Sequence, residues 1–205
     1  MRLEVITFQD WKKLGLDKKD VVVTVSKSTN WSKGLSPFHV GPCELYDGHI
    51  AKNMENAYQF SKVYPEFCED GEILDTYWEW ALKGWSDKKG HRYPAGKGRI
   101  PLFSLWGDER LGYVEARKKI YIPVYYRAVK DTEAFDYLQC KYNEYKRKDK
   151  NLYLVDFDAY RHKELGMTYK EVVNCETRKM GHAFVLAMAL EHPDRLERAI
   201  QSAAY

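Results

Sequence analysis

Hydrophobic positions along this chain fall into short blocks separated by polar stretches. Val21-Val22-Val23-Thr24-Val25 is a β-branched run of the kind buried on both faces of a sheet, and it predicts a strand within residues 20–27. Residues 151–158 carry Leu152-Tyr153-Leu154-Val155 and predict a second strand with a carboxylate at its end. Residues 2–7 alternate weakly, as a short strand would, and residues 8–15 read as a short helix stopped by Gly15. Glu44-Leu45-Tyr46 followed by Asp47-Gly48 is a strand leading into a hairpin turn. A helix is predicted over residues 71–83, with Leu74, Tyr77, Trp78 and Ala81 on one stripe. Further helical patterns cover residues 109–127, interrupted at Pro123, and residues 131–150, ending in the basic run Lys146-Arg147-Lys148. A helix or turn follows Thr168. Another helix opens after Gly181, runs through Phe184, Leu186, Met188 and Leu190, and breaks at Pro193 before a last helix to Ala203. The expected fold is α+β, a mostly helical single domain over residues 1–205 with a small sheet holding the 20–27 and 151–158 strands.

The stretch with the most unusual pattern is residues 53–62, Asn-Met-Glu-Asn-Ala-Tyr-Gln-Phe-Ser-Lys. Asn53 is a good N-cap and Pro65 a stop signal. At about 100° of rotation per residue, Glu55, Tyr58, Gln59 and Lys62 share one helix face, and Met54, Ala57 and Phe60 lie opposite. A carboxylate, a phenol, an amide and an ammonium in a row suit a site as well as a solvated surface. Glu55, in the first turn, is favoured in its ionised form by the helix dipole.

The loop of residues 26–42, rich in turn formers, precedes this helix. Residues 84–101 form a second loop, in which Lys88, Lys89, His91, Arg92, Lys97 and Arg99 alternate with Gly84, Gly90, Gly96 and Gly98. Basic side chains on a glycine-rich loop either cradle phosphate or are simply solvated. Net charge is only +3, so any electrostatic footprint for nucleic acid is local. Aromatic residues make up 15% of the chain, with 16 Tyr and 6 Trp, rings that fill cores and also stack on bases. The 4 Cys are scattered without a CxxC pair, which reads as reduced thiols in a cytoplasmic protein and not a zinc site. No apolar run is long enough to span a membrane, and the first residues lack the apolar core of a secretion signal.

The Glu-x-x-Tyr-Gln-x-x-Lys spacing of Glu55, Tyr58, Gln59 and Lys62 resembles the signature helix of the NADAR family, the YbiA-like N-glycosidases. Leu35-Ser36-Pro37-Phe38 resembles the Leu-Ser-Asn-Phe segment that precedes it there, with Pro37 in place of Asn. Trp106, before the next helical stretch, resembles a Trp-then-Lys helix of the family. Asp158-Ala159-Tyr160 resembles its Asp-x-x-Trp segment, with the aromatic one place earlier, and Arg178-Lys179-Met180-Gly181 its Asn-Arg-Leu-Gly step, with Arg178 in place of Asn. The likeness covers residues 30–192 in separated blocks, leaving residues 1–29 as a strand–helix–strand extension.

The resemblance implies a YbiA-like fold and cleavage of an N-glycosidic bond on ribose, removing ADP-ribose from a base, most often guanine in DNA. Other branches act on riboflavin-pathway intermediates. It implies Glu55, Lys62 and Asp158 as catalytic groups, with Ser36, Phe38, Tyr58, Gln59, Trp106, Tyr160 and Gly181 binding substrate. Neither a cofactor nor a metal is implied. The partners are ADP-ribosylated nucleic acid, DNA favoured, and ADP-ribose as product. The family's pairing with ADP-ribosylating toxins implies reversal of nucleic-acid ADP-ribosylation, including a phage-encoded counter to a host defence acting in the host cytoplasm. Three rival readings are a hydrolase of ordinary O-glycosides using Glu55 and Asp158, a non-catalytic binder of nucleic acid or ADP-ribose, and a purely structural protein, which explains the aromatic content but not the Glu55–Lys62 face.

Overall fold

A computed structural model describes residues 1–202 of the chain. About 47% of the backbone is helical and about 14% is in strands, an α+β composition with small sheets.

Strand β1 (Leu3–Ile6) runs directly into helix α1 (Phe8–Leu14). Thr7 caps the helix: its hydroxyl accepts from the Asp10 N–H, and the Asp10 carboxylate accepts from the Thr7 N–H. Gly15, at φ 59°, ends the helix in the left-handed conformation. Strand β2 (Val21–Val23) is shorter than the valine block, because the strand it pairs with ends opposite Val23. Strands β3 (Cys43–Glu44) and β4 (Ile50–Ala51) form the hairpin that Asp47-Gly48 signals, with both turn residues at positive φ. Helix α2 (Met54–Gln59), strand β5 (Lys62–Val63) and the hairpin β6 (Cys68–Glu69) and β7 (Glu72–Ile73) follow.

Helix α3 (Asp75–Ser86) starts and stops later than its predicted 71–83 span, because residues 68–73 pair with one another. It buries Tyr77, Ala81, Gly84 and Trp85. Gly84 is therefore a helix residue, not the start of the basic loop. A β-carbon there would lie 2.1 Å from the Phe60 ring, which is itself buried. Gly84→Ala is expected to cost about 1–3 kcal/mol through forced displacement of that ring, read as a lowered denaturation midpoint.

Strands β8 (Phe103–Trp106) and β9 (Glu109–Leu111) form a hairpin turned at Gly107. Residues 109–111 are thus strand, not the start of a helix. Helices α4 (Tyr113–Ala116) and α5 (Ile122–Val129) are joined by a π-helical turn over Arg117–Tyr121. Pro123 was expected to interrupt this segment and does not. The Ile122 N–H reaches back to the Arg117 carbonyl, so Pro123 enters where the α-helical register is already broken and its ring costs little. Helix α6 (Glu133–Arg147) is capped by Thr132. Strand β10 (Leu152–Val155), helix α7 (Tyr169–Asn174), helix α8 (His182–Glu191) and helix α9 (Pro193–Ser202) complete the chain, the final helix having been expected to reach Ala203, outside the described residues.

The chain divides into two compact units, residues 1–36 with the chain from Val129 onward, and the intervening residues 37–128. The first holds a parallel sheet in the order β1-β10-β2, in register Leu3↔Leu152 and Tyr153↔Val21, so the predicted sheet strands do pair. Helix α8 is apolar all round and buried from His182 to Leu190, packing on β1 and β10. The second unit holds the antiparallel sheet β5-β8-β9, the two small hairpins and an aromatic cluster of Phe60, Phe67, Tyr77 and Trp80.

Candidate functional site

Helix α2 forms as its sequence dictates at the start and departs from it at the end. The Asn53 side chain accepts from the Asn56 N–H at 2.9 Å, the expected cap. The helix stops at Gln59, and Lys62 lies in β5 opposite Ser104 and not on the helix, a correction to the face drawn from the sequence. The competing interaction is strand pairing. Leu105 donates to the Ser61 carbonyl at 2.7 Å and Leu102 to the Val63 carbonyl at 2.8 Å, drawing residues 61–63 into the sheet. The Ser61 hydroxyl donates to the Tyr58 carbonyl at 2.8 Å and satisfies the end of the helix.

The four polar residues nevertheless meet. The Lys62 ammonium donates to Gln59 Oε1 at 2.7 Å, and Gln59 Nε2 donates to Glu55 Oε1 at 3.0 Å. An ammonium only donates and an ionised carboxylate only accepts, so the amide between them is fixed in one orientation. The Lys62 ammonium also lies 4.7 Å from the centre of the Tyr58 ring. All four side chains are half-buried. The result is a directed chain, ammonium to amide to carboxylate, running along a tyrosine face.

Around it stands a further set of aromatic and basic groups. Tyr58 meets Tyr121 edge-on at 5.0 Å, and Tyr121 stacks on Tyr125. Burial pushes the Tyr58 phenol well above its ordinary pKa, with Tyr113 and Glu55 adding and Arg117 opposing, so it stays neutral and able to donate. Arg117, only 2% exposed, holds its guanidinium 4.7 Å over the Tyr113 ring. Sequence reasoning missed Arg117, which stands beside Lys118 and Lys119 and belongs to no motif. The π turn shifts the helix face by one residue and turns Arg117 inward, and the proline inside a helical pattern was the one hint of it.

Helix α2 also organises the loops beside it. The Glu55 N–H donates to the Pro37 carbonyl at 2.9 Å and the Met54 N–H to the Val40 carbonyl at 2.8 Å, so the Pro37-Phe38 segment is tied to the first turn. Asn56, fully buried, donates to the Asp87 and Lys89 carbonyls and accepts from the His91 N–H. Asn53 adds bonds to the Asp87 and Lys88 carbonyls, so the start of the basic loop is held by the helix that carries Glu55. Phe38 packs on Gly90, where a β-carbon would approach its ring to 2.6 Å. Trp106 packs edge-on against Tyr46 at 5.1 Å.

Ser36, Asp158, Tyr160 and Gly181 belong to the first unit. Ser36 is buried. Tyr160 packs on Phe184 at 4.9 Å and lies beneath the Arg178 guanidinium at 5.2 Å. The carboxylate buried at the end of β10 is Asp156; Asp158, half-buried in the following bend, accepts at its backbone carbonyl from the Gly181 N–H at 2.8 Å. Asp156 Oδ2 lies 3.0 Å from His182 Nδ1 and accepts from the Ala183 N–H, and Oδ1 accepts from the Phe157 N–H. His182 Nε2 faces the Thr24 carbonyl at 2.9 Å. Both ring nitrogens therefore face acceptors, the arrangement an imidazolium satisfies. Burial raises the Asp156 pKa, but His182 and the two backbone N–H groups outweigh it and hold the carboxyl below its ordinary value. Gly181 is a glycine because a β-carbon there would lie 2.1 Å from Asp156 Oδ2. The anion at the start of α8 is the protein's own carboxylate.

Among the described residues no cluster of His, Cys, Asp and Glu suits a metal ion, and no helix is long and apolar enough to cross a membrane. No protein-family model, no curated protein and no solved structure matches the chain.

Proposed function

We propose that the protein is an N-glycosidase that hydrolyses the bond between ADP-ribose and a nucleobase, in DNA by preference, reversing nucleic-acid ADP-ribosylation. The observation that carries this reading is the Lys62–Gln59–Glu55 chain, which holds one carboxylate in a fixed orientation on an aromatic, half-buried surface. Cleavage of an N-glycosidic bond builds positive charge on the sugar C1. A carboxylate preorganised beside that carbon stabilises the charge and takes the proton of the attacking water, while the base departs with the bonding electrons. Tyr58 offers a neutral phenol and a ring face, and Lys62 a cation for phosphate or a ribose hydroxyl. Asp158 lies in the other unit, and the proposal does not depend on it.

The test is incubation of the protein with ADP-ribosylated DNA in buffer containing EDTA, since the stabilising charge comes from Glu55. Release of free ADP-ribose with restoration of the unmodified base is expected. Tight nucleic-acid binding without release would assign the protein as a binder instead.

A further inference from the structure

A concave site lies in the first unit, at the carboxyl ends of its parallel strands. Thr7 follows β1, Asp156 and Phe157 follow β10, and the segment from Lys27 to Asn30 follows β2. Together with Phe8 and Lys18 they line a cavity of about 730 Å³. The carboxyl edge of a parallel sheet is where open α/β folds bind ligands, and the volume is that of a small-molecule site.

The lining is chemically one-sided. Phe8 and Phe157 form an aromatic wall, ring centres 5.3 Å apart, and Phe157 is 43% exposed, an unusual position for a large apolar ring. The Lys27 ammonium stands 5.8 Å from the Phe157 ring centre. Among the described residues neither Lys18 nor Lys27 has a carboxylate partner; the adjacent Lys19 takes Asp17. Asn30 Oδ1 is occupied by the Ser28 hydroxyl and the Ser32 N–H, and its amide nitrogen is a donor on an exposed side chain of the lining. The one carboxylate in the lining, Asp156, is committed to His182 and two backbone N–H groups and is not available to a cation. What remains is an exposed ring surface bordered by two ammonium groups and an amide donor.

We propose that this cavity binds a nucleoside phosphate, with its base against Phe8 and Phe157 and its phosphate at Lys18, Lys27 and Asn30. A flat ring joined to a strong anion matches both halves of the lining; an uncharged aromatic or a bare anion matches one. The proposal is independent of the Glu55 reading, since every lining residue belongs to the first unit.

Calorimetric titration of the full chain with AMP, adenosine and inorganic phosphate tests it. AMP is expected to bind with a Kd of about 10–500 μM, a modest efficiency for a ligand of its size. Adenosine and phosphate are each expected to bind at least about ten-fold more weakly. Lys27→Ala and Phe157→Ala change exposed side chains, so an unaltered unfolding transition verifies the fold of each. Each is expected to weaken AMP binding about ten-fold, and Lys27→Ala also to reduce its dependence on salt. No AMP binding by the wild-type protein up to about 1 mM, or wild-type affinity in either folded variant, overturns the proposal.

Discussion

Glu55→Gln is expected to lower the rate of ADP-ribose release by about 10²–10³-fold, the effect of removing one preorganised charge from a site that stabilises a cationic sugar. The substitution isolates charge from shape. Gln59 Nε2 donates to Glu55 Oε1 in the native protein, and the amide oxygen of the substituted side chain accepts the same hydrogen bond. Lys62, Gln59 and Tyr58 therefore keep their places, and only the negative charge is lost. Affinity for ADP-ribose should hold or rise, because a carboxylate repels the two phosphates. Lys62→Ala should behave in the opposite way. It removes a cation and frees the amide that Lys62 orients, so binding weakens, most of all at low salt, where the charge is least screened. Undiminished release by the Glu55→Gln protein would remove Glu55 as the catalytic group.

Local chemistry in the sequence was a good guide where a few neighbouring residues decide the structure. Asn53 caps its helix, Gly15 ends one, Asp47-Gly48 turns a hairpin, and the valine block enters the sheet. It was a poor guide where distant residues decide. Lys62 left the helix because β8, some 40 positions on, pairs with residues 61–63. The parallel direction of the β1-β10-β2 sheet depends on crossovers that no local pattern records. Arg117 was invisible because a π turn changes which side of a helix is buried. The carboxylates at the end of β10 show the same limit. Asp156 and Asp158 are two positions apart, so strand periodicity assigns them the same side. The chain bends at Phe157 and buries only the first, against a glycine from a segment more than 20 residues away. The polar face of α2 remained recognisable because short contacts, Glu55 to Gln59 and Gln59 to Lys62, span its changed end.

Asp156→Ala is expected to cost about 3–5 kcal/mol of stability, the penalty for leaving several buried donors without their acceptor. His182 would keep the Thr24 carbonyl at Nε2 and lose its acceptor at Nδ1, while the N–H groups of Phe157 and Ala183 would lose theirs. The loss falls on the join between the central strand and the most buried helix of the first unit. Asp156→Asn retains an acceptor oxygen but not the charge, and should cost less, about 1.5–3 kcal/mol. The sign of the pH dependence follows from the direction of the shift. The folded Asp156 carboxyl is held below its ordinary 3.8, so its contribution is present above that value and is lost as pH falls through the lower, folded one. Urea unfolding of the wild-type and Asp156→Asn proteins should therefore differ most near neutrality, and the difference should shrink below about pH 4. Equal stability of the two at pH 7 would mean that the carboxylate charge contributes nothing, and that Asp156 serves the α8 N-terminus only as a hydrogen-bond acceptor.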